Sequence, residues 1–296
     1  MRITKFIVIG SILLISACTP IATATPESTN TPTITRTPLP SETATPTLTP
    51  TSLPSPTPGI PLPAPQEIVF ETRDHKKLTG YYYPAAVPNA PVVVLMHMAG
   101  SSHAIWEENG MVQWLLNQGI DNPNPYFYPP LPEGRSFAVF SFDFRGHGKS
   151  EGDVYSPLYE YLLDAKAAYQ QAGKLPGVDS TRIAGIGGSV GADAVVDACT
   201  NCAGALSLSP GNYLNPIDNL YNDELDRLDP SGVVVWCLAG KTDKPAADAC
   251  TSAKGKNYRS ILYEGSHHGT GMVSLHDAPE GAGQVVYDWL METFKK

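Results

Sequence analysis

The sequence has no run of lysine or arginine that could track a phosphate backbone. Its balance is acidic, with 20 Lys and Arg against 29 Asp and Glu and a net charge of −9. Nucleic acid is therefore not an expected partner. Long apolar runs are also scarce. The most prominent one near the start, residues 6–15, is too short for the roughly 20 apolar residues a membrane-spanning helix needs. No internal repeat is found. The seven histidines form no recognisable ligand set. The single CxxC, Cys199 and Cys202, has no second pair at zinc spacing, so neither a metal nor an organic cofactor is implied.

What is present varies along the chain. The opening "MRITKFIVIGSILLISAC" has a positive n-region in Arg2 and Lys5, then a short apolar core and small residues, the pattern of a targeting segment. Its ending, "ISAC", resembles a bacterial lipobox. The resemblance implies that residues 1–17 are a lipoprotein signal peptide and that Cys18 is the lipidated first residue of an exported chain, anchored to the outer face of a bacterial membrane. More than one acyl chain on such a cysteine meets the requirement for stable anchoring. Residues 18–65 are mostly Thr, Pro and Ser, as in "TPTITRTPLPSETATPTLTPTSLPSPTPGIPLPAP". They offer too little bulky apolar surface for a core and are expected to form a disordered, extended stalk. At roughly 3.1 Å per residue in the polyproline form, the reach is on the order of 140 Å.

Four cysteines remain beyond Cys18: Cys199, Cys202, Cys237 and Cys250. An even number in an exported chain points to disulfides, with three pairings possible. Cys199 and Cys202 are close enough to bridge, which leaves Cys237 for Cys250. Free thiols, and metal or redox use of the CxxC, are the competing readings.

Residues 66–296 read as alternating strands and helices. "QEIVFET" and "LTGYYYP" suggest an antiparallel pair around a polar turn. "APVVVLMH" and "SFAVFSFDF" are apolar runs of the kind buried on both faces of a sheet. "TRIAGIGG", "AGALSLS", "GVVVWCLAG" and "SILYEGS" complete eight strands. Helical spacing over residues 103–119 predicts one helix closed by Gly119. Further helices are expected at "LYEYLLDAKAAYQQAG", "VGADAVVDAC", around residues 216–228, and at "GQVVYDWLMETFK". The alternation predicts an α/β fold, a mostly parallel eight-stranded sheet with helices on both faces. The connection over residues 209–231 leaves no room for a large cap domain. A Pro- and Asn-rich segment, "DNPNPYFYPPLPEG", reads as a loop insertion near one end of the sheet.

"GIGGSVGAD" places Ser189 between a predicted strand and a predicted helix. In that setting G-x-S-x-G describes a sharp turn that exposes the hydroxyl at the carboxyl end of the sheet. A serine nucleophile needs a base and a carboxylate behind it. Asp243 follows one later strand, in "KTDKP", and His267 and His268 follow the last, in "HHGT". His268, directly before Gly269, is the preferred base, with His267 as a neighbour. Asp248 falls on the next helix and is the poorer acid. Backbone N–H groups must also meet the developing oxyanion. Val190, after the serine, and Ala99, in "HMAGSS", are the candidates. His97, Arg145 and His147 read as loop-ordering residues.

Together, "LMHMAGSS", "FDFRGHGKSEG", "GIGGSVGAD", "LSLSPGNY", "LAGKTDKP" and "EGSHHGTGM" resemble the α/β-hydrolase superfamily from about residue 66 onward. Within it they resemble the capless dienelactone-hydrolase and carboxylesterase-like branch. The resemblance implies Ser189 as nucleophile, Asp243 as acid, His268 as base, and Ala99 with Val190 as oxyanion donors, without a cofactor. Met98 replaces the glycine of the usual His-Gly pair and would narrow the oxyanion loop. Dienelactone hydrolases use cysteine, so Ser189 points to esterase chemistry on a small to medium ester; a serine peptidase or acyltransferase with the same triad, or a non-catalytic surface binding module on this fold, are the competing readings.

Overall fold

The computed structural model describes residues 60–214 and 220–295. The expected signal peptide (residues 1–17), Cys18 and the greater part of the expected stalk lie outside the described residues.

Eight strands form one sheet: β1 (Gln66–Glu71), β2 (Lys77–Tyr83), β3 (Ala90–Met96), β4 (Ala138–Phe142), β5 (Val178–Gly188), β6 (Gly204–Leu208), β7 (Val234–Gly240) and β8 (Tyr258–Tyr263). Their order is β1-β2-β4-β3-β5-β6-β7-β8. The β1/β2 and β2/β4 pairings are antiparallel, and every pairing from β4 to β8 is parallel. The apolar runs explain this layering. In β3, Val92, Val94 and Met96 enter one core, while Val93 and Leu95 enter the other, and all five are fully buried. Alternate side chains of a strand point to opposite faces, so a strand apolar throughout needs cover on both sides.

Helices supply that cover. α3 (Tyr161–Ala172), α4 (Val190–Asp197), α5 (Leu220–Leu228) and α6 (Lys244–Ser252) share the first core. α1 (Ile105–Glu108), α2 (Met111–Leu116) and α7 (Ala282–Thr293) share the second.

The single helix expected over residues 103–119 is two, α1 and α2. Gly110 adopts φ 76° between them, a left-handed turn that hydrophobic periodicity does not register. Ile60, within the span expected to be stalk, joins the fold. Its N–H donates to Gly119 O at 3.2 Å, and Asp121 N–H donates to Ile60 O at 2.8 Å.

Of the three possible cysteine pairings, the structure contains Cys199–Cys202 and Cys237–Cys250. The second ties β7 to α6, and both of its cysteines are fully buried.

Candidate active site

Ser189 lies between β5 and α4 with φ 54° and ψ −117°. A residue with a Cβ rarely adopts such a backbone, and its surroundings must enforce it. Glycines make the turn possible. A Cβ on Gly187 would lie 2.0 Å from Gly191 O, and one on Gly191 would lie 2.3 Å from Met96 O. The first turn of α4 therefore presses against the end of β3.

Asp243 is the N-cap residue of α6, yet its carboxylate makes no capping bond to that helix. Instead Oδ2 lies 2.6 Å from His268 Nδ1. His268 Nε2 lies 2.9 Å from Ser189 Oγ. The Asp243 side chain is 13% exposed and that of His268 is 37% exposed, so the relay is sheltered at the acid and open at the base. The loops after β5, β7 and β8 thus bring together the three residues singled out from sequence. His267 turns elsewhere, with Nδ1 3.8 Å from Asp277 Oδ2. Asp248 receives the Lys244 ammonium on the surface of α6.

Ala99 follows β3 and is exposed, whereas Val190 opens α4. Among the described residues, neither N–H donates to a protein acceptor. The Ala99 loop is held from behind. Gly100 N–H donates to His147 Nε2 at 3.1 Å, and His147 Nδ1 faces Arg145 O at 3.0 Å. Phe144 N–H donates to His97 Nε2 at 3.0 Å, and His97 Nδ1 faces Met98 O at 2.7 Å. Burial pushes His97 down to about 4, so its ring is neutral near pH 7. His103 N–H and Nδ1 both reach Asp143 Oδ1 at 2.9 Å. Burial works against the Asp143 charge, but these bonds and the Lys149 N–H hold its carboxyl well below the usual range. Met98 Sδ lies 3.2 Å from Thr270 Oγ1, so this side chain bridges the β3 and β8 loops beside the serine.

Arg145 is fully buried and bonded to Asp74, Glu160 and Asp164. It ties the first hairpin and α3 to the strand-β4 loop. Among the described residues no group of three or more His, Cys, Asp or Glu side chains is placed to hold a metal ion.

Two residues were not assigned a role from the sequence. Tyr213, after β6, packs partly buried against the first core. Asp193, on the first turn of α4, accepts Gly211 N–H at 3.0 Å on Oδ1 and Tyr213 N–H on Oδ2. Burial pushes Asp193 up to about 6, against the pull of these backbone donors. A carboxylate on the buried side of the helix after the serine was the available signal. What it grips depends on the tertiary fold.

No family model matches the chain. The uncharacterised protein YfhR of Salmonella typhi is 30% identical over 152 residues, which is 50% of this chain and 45% of YfhR. The uncharacterised protein Rv2307c of Mycobacterium tuberculosis is 31% identical over 142 residues, 48% of this chain and 43% of Rv2307c. The match spans less than half of either relative. Solved structures cover more. Esterase Pf2001 of Pyrococcus furiosus superposes with a TM-score of 0.57 at 18% identity, over 82% of this chain and 99% of that one. Est1E of Butyrivibrio proteoclasticus, solved with ferulic acid bound, gives 0.57 at 19% identity, over 77% and 100%. The α/β hydrolase GrgF of a Penicillium species gives 0.57 at 14% identity, over 79% and 100%. With the strand order, these likenesses define the architecture: the chain has the α/β-hydrolase fold.

Proposed function

We propose that the protein is a serine hydrolase of the dienelactone-hydrolase and carboxylesterase-like branch, cleaving carboxylic esters through an acyl-enzyme on Ser189. One observation carries this reading, the continuous hydrogen-bonded series Asp243–His268–Ser189. His268 Nε2 takes the Ser189 proton as Oγ attacks the ester carbonyl. The Asp243 carboxylate fixes the Nδ1–H tautomer and stabilises the imidazolium. The N–H groups of Ala99 and Val190 receive the oxyanion. The imidazolium then returns its proton to the departing alkoxide. Water, activated by the same imidazole, releases the acid and regenerates Ser189.

Ester substrates are favoured because the similar solved structures include proteins described as esterases. Tethering to a bacterial membrane through lipid on Cys18 belongs to the same proposal and rests on the opening residues alone.

The test is labelling with a fluorophosphonate probe, alongside turnover of short-chain nitrophenyl esters. Labelling at Ser189 and loss of turnover in Ser189→Ala are expected. A probe that leaves Ser189 unmodified while reacting with a control hydrolase would overturn the reading. For the anchor, metabolic labelling with an alkynyl fatty acid should mark the parent chain and not Cys18→Ser.

A further inference from the structure

Two segments border Ser189. One is the loop after β3, which carries Met98 and Ala99 and runs into α1. The other begins at His268 and continues through a short 3₁₀ helix, Gly269–Val273. They meet first beside the nucleophile. A Cβ on Gly269 would lie 3.1 Å from Met98 Sδ and 3.4 Å from Ser189 Cβ, so thioether and serine border the same small space. The Thr270 hydroxyl donates to Met98 Sδ at 3.2 Å. Methionine is unbranched and adaptable, and this bond pins it across the gap. Thr270 is itself buried, and a Cβ on Gly188 would lie 2.7 Å from its backbone nitrogen, so Thr270 is seated against the end of β5. The two segments meet again around a cavity of about 320 Å³, with Ile105, Glu108 and Asn109 on one side and Ser274, Leu275 and His276 on the other. Along both segments the Met98–Thr270 contact precedes this cavity and stands on its serine side.

The serine's partners decide which half of an ester this contact limits. The leaving oxygen must face His268 Nε2 to receive its proton. The His268 side chain is 37% exposed, so the alcohol half is directed toward solvent. The acyl chain takes the inner side, where Gly269 and Thr270 are buried. We propose that Met98 is a specificity-determining residue: its thioether, with Thr270 as positioning residue, closes the acyl side of Ser189 off from the cavity at Leu275 and restricts the substrate to esters of short acids such as acetate and butyrate. This inference rests on the ester-cleaving reading of Ser189.

The test is selectivity among nitrophenyl acetate, butyrate, hexanoate and octanoate. The parent should favour the two shorter acids. Met98→Ala joins the serine to the cavity and is expected to raise the octanoate-to-acetate ratio of kcat/KM by about tenfold or more. Met98→Leu keeps the side-chain volume and should hold the ratio near that of the parent. Adding Leu275→Asp to Met98→Ala should cancel the gain, because a carboxylate at the cavity opposes an alkyl chain. In a series of alkyl acetates, lengthening the alcohol should produce no comparable change. An unchanged ratio in Met98→Ala, a gain that survives Leu275→Asp, or a shift that follows the alcohol instead of the acid would overturn the inference. A parent that already prefers octanoate would do the same. If Met98→Ala does not fold, Thr270→Val, which releases the thioether with little change of shape, decides by the same ratio. Failure of the parent chain to label with fluorophosphonate at Ser189 is a separate result and refutes the underlying ester-cleaving reading instead.

Discussion

His268 Nε2 lies 2.9 Å from Ser189 Oγ although the two residues are 79 positions apart. The contact exists because β5 and β8 are parallel members of one sheet and end at the same edge. The strained serine turn is thus set against a histidine whose other ring nitrogen is already taken by Asp243.

Replacing that acid tests the series without disturbing the fold. Asp243 does not cap α6 with its side chain, so Asp243→Asn should melt close to the parent. Its kcat on a model ester should fall by about 10²–10⁴-fold, because an amide does not stabilise the imidazolium. Parent-like turnover would remove Asp243 from the reaction.

Gly191→Ala should damage activity more than its size suggests. The added methyl would lie 2.3 Å from Met96 O and 2.7 Å from His97 O, pushing α4 away from the loop that carries Ala99. A shift of about 1 Å between Val190 and Ala99 is expected to cost about 10²-fold in kcat/KM, with about 1–3 kcal/mol of stability lost. Ester kinetics and thermal melts separate the two effects.

The Cys237–Cys250 bridge closes a separation of 13 residues between β7 and α6, directly around the Asp243 loop. Loss of a loop closure of that size is worth about 3 kcal/mol. A Cys237→Ala, Cys250→Ala double variant should therefore unfold at a lower denaturant midpoint. The Cys199–Cys202 bridge spans only 3 positions, and its removal should cost less. The opposite ranking in urea melts would contradict this assignment.

Asp197 predicts a pH dependence of stability. It is buried on α4, and Oδ1 has no hydrogen-bond partner among the described residues. Burial first, then the Asp193 and Glu224 carboxylates, push it up to about 8, against Arg227 and Lys166. The folded state therefore holds this proton more tightly than the unfolded chain does. The contribution to stability is complete below the ordinary value of 3.8 and is lost as pH rises through about 8. Asp197→Asn should flatten the fall in Tm between about pH 4 and about pH 8. Parallel melting profiles for parent and variant would refute the shift.

Much of this arrangement is legible without coordinates, for a physical reason. A strand such as Val92-Val93-Val94-Leu95-Met96 is tolerable only with both faces covered, which dictates a parallel sheet layered by helices. The glycines around Ser189 mark a turn that few other residues allow. Local patterns do not carry the remainder. The left-handed Gly110 breaks a helix whose apolar periodicity runs on undisturbed. The loop at Tyr213 is fixed only because Asp193, twenty positions earlier, grips its backbone from inside the fold. Ile60 pairs with Ile120 across a separation that no composition argument reveals.

Arg145 draws on Asp74 in the turn of the first hairpin, and its carbonyl oxygen faces the ring of His147, which in turn accepts from Gly100 beside Ala99. Asp74 is about a third exposed on the outer surface. A random-mutagenesis screen for altered turnover should therefore recover changes at Asp74, remote from Ser189, because slack introduced at that turn travels along a rigid polar thread to the Ala99 loop.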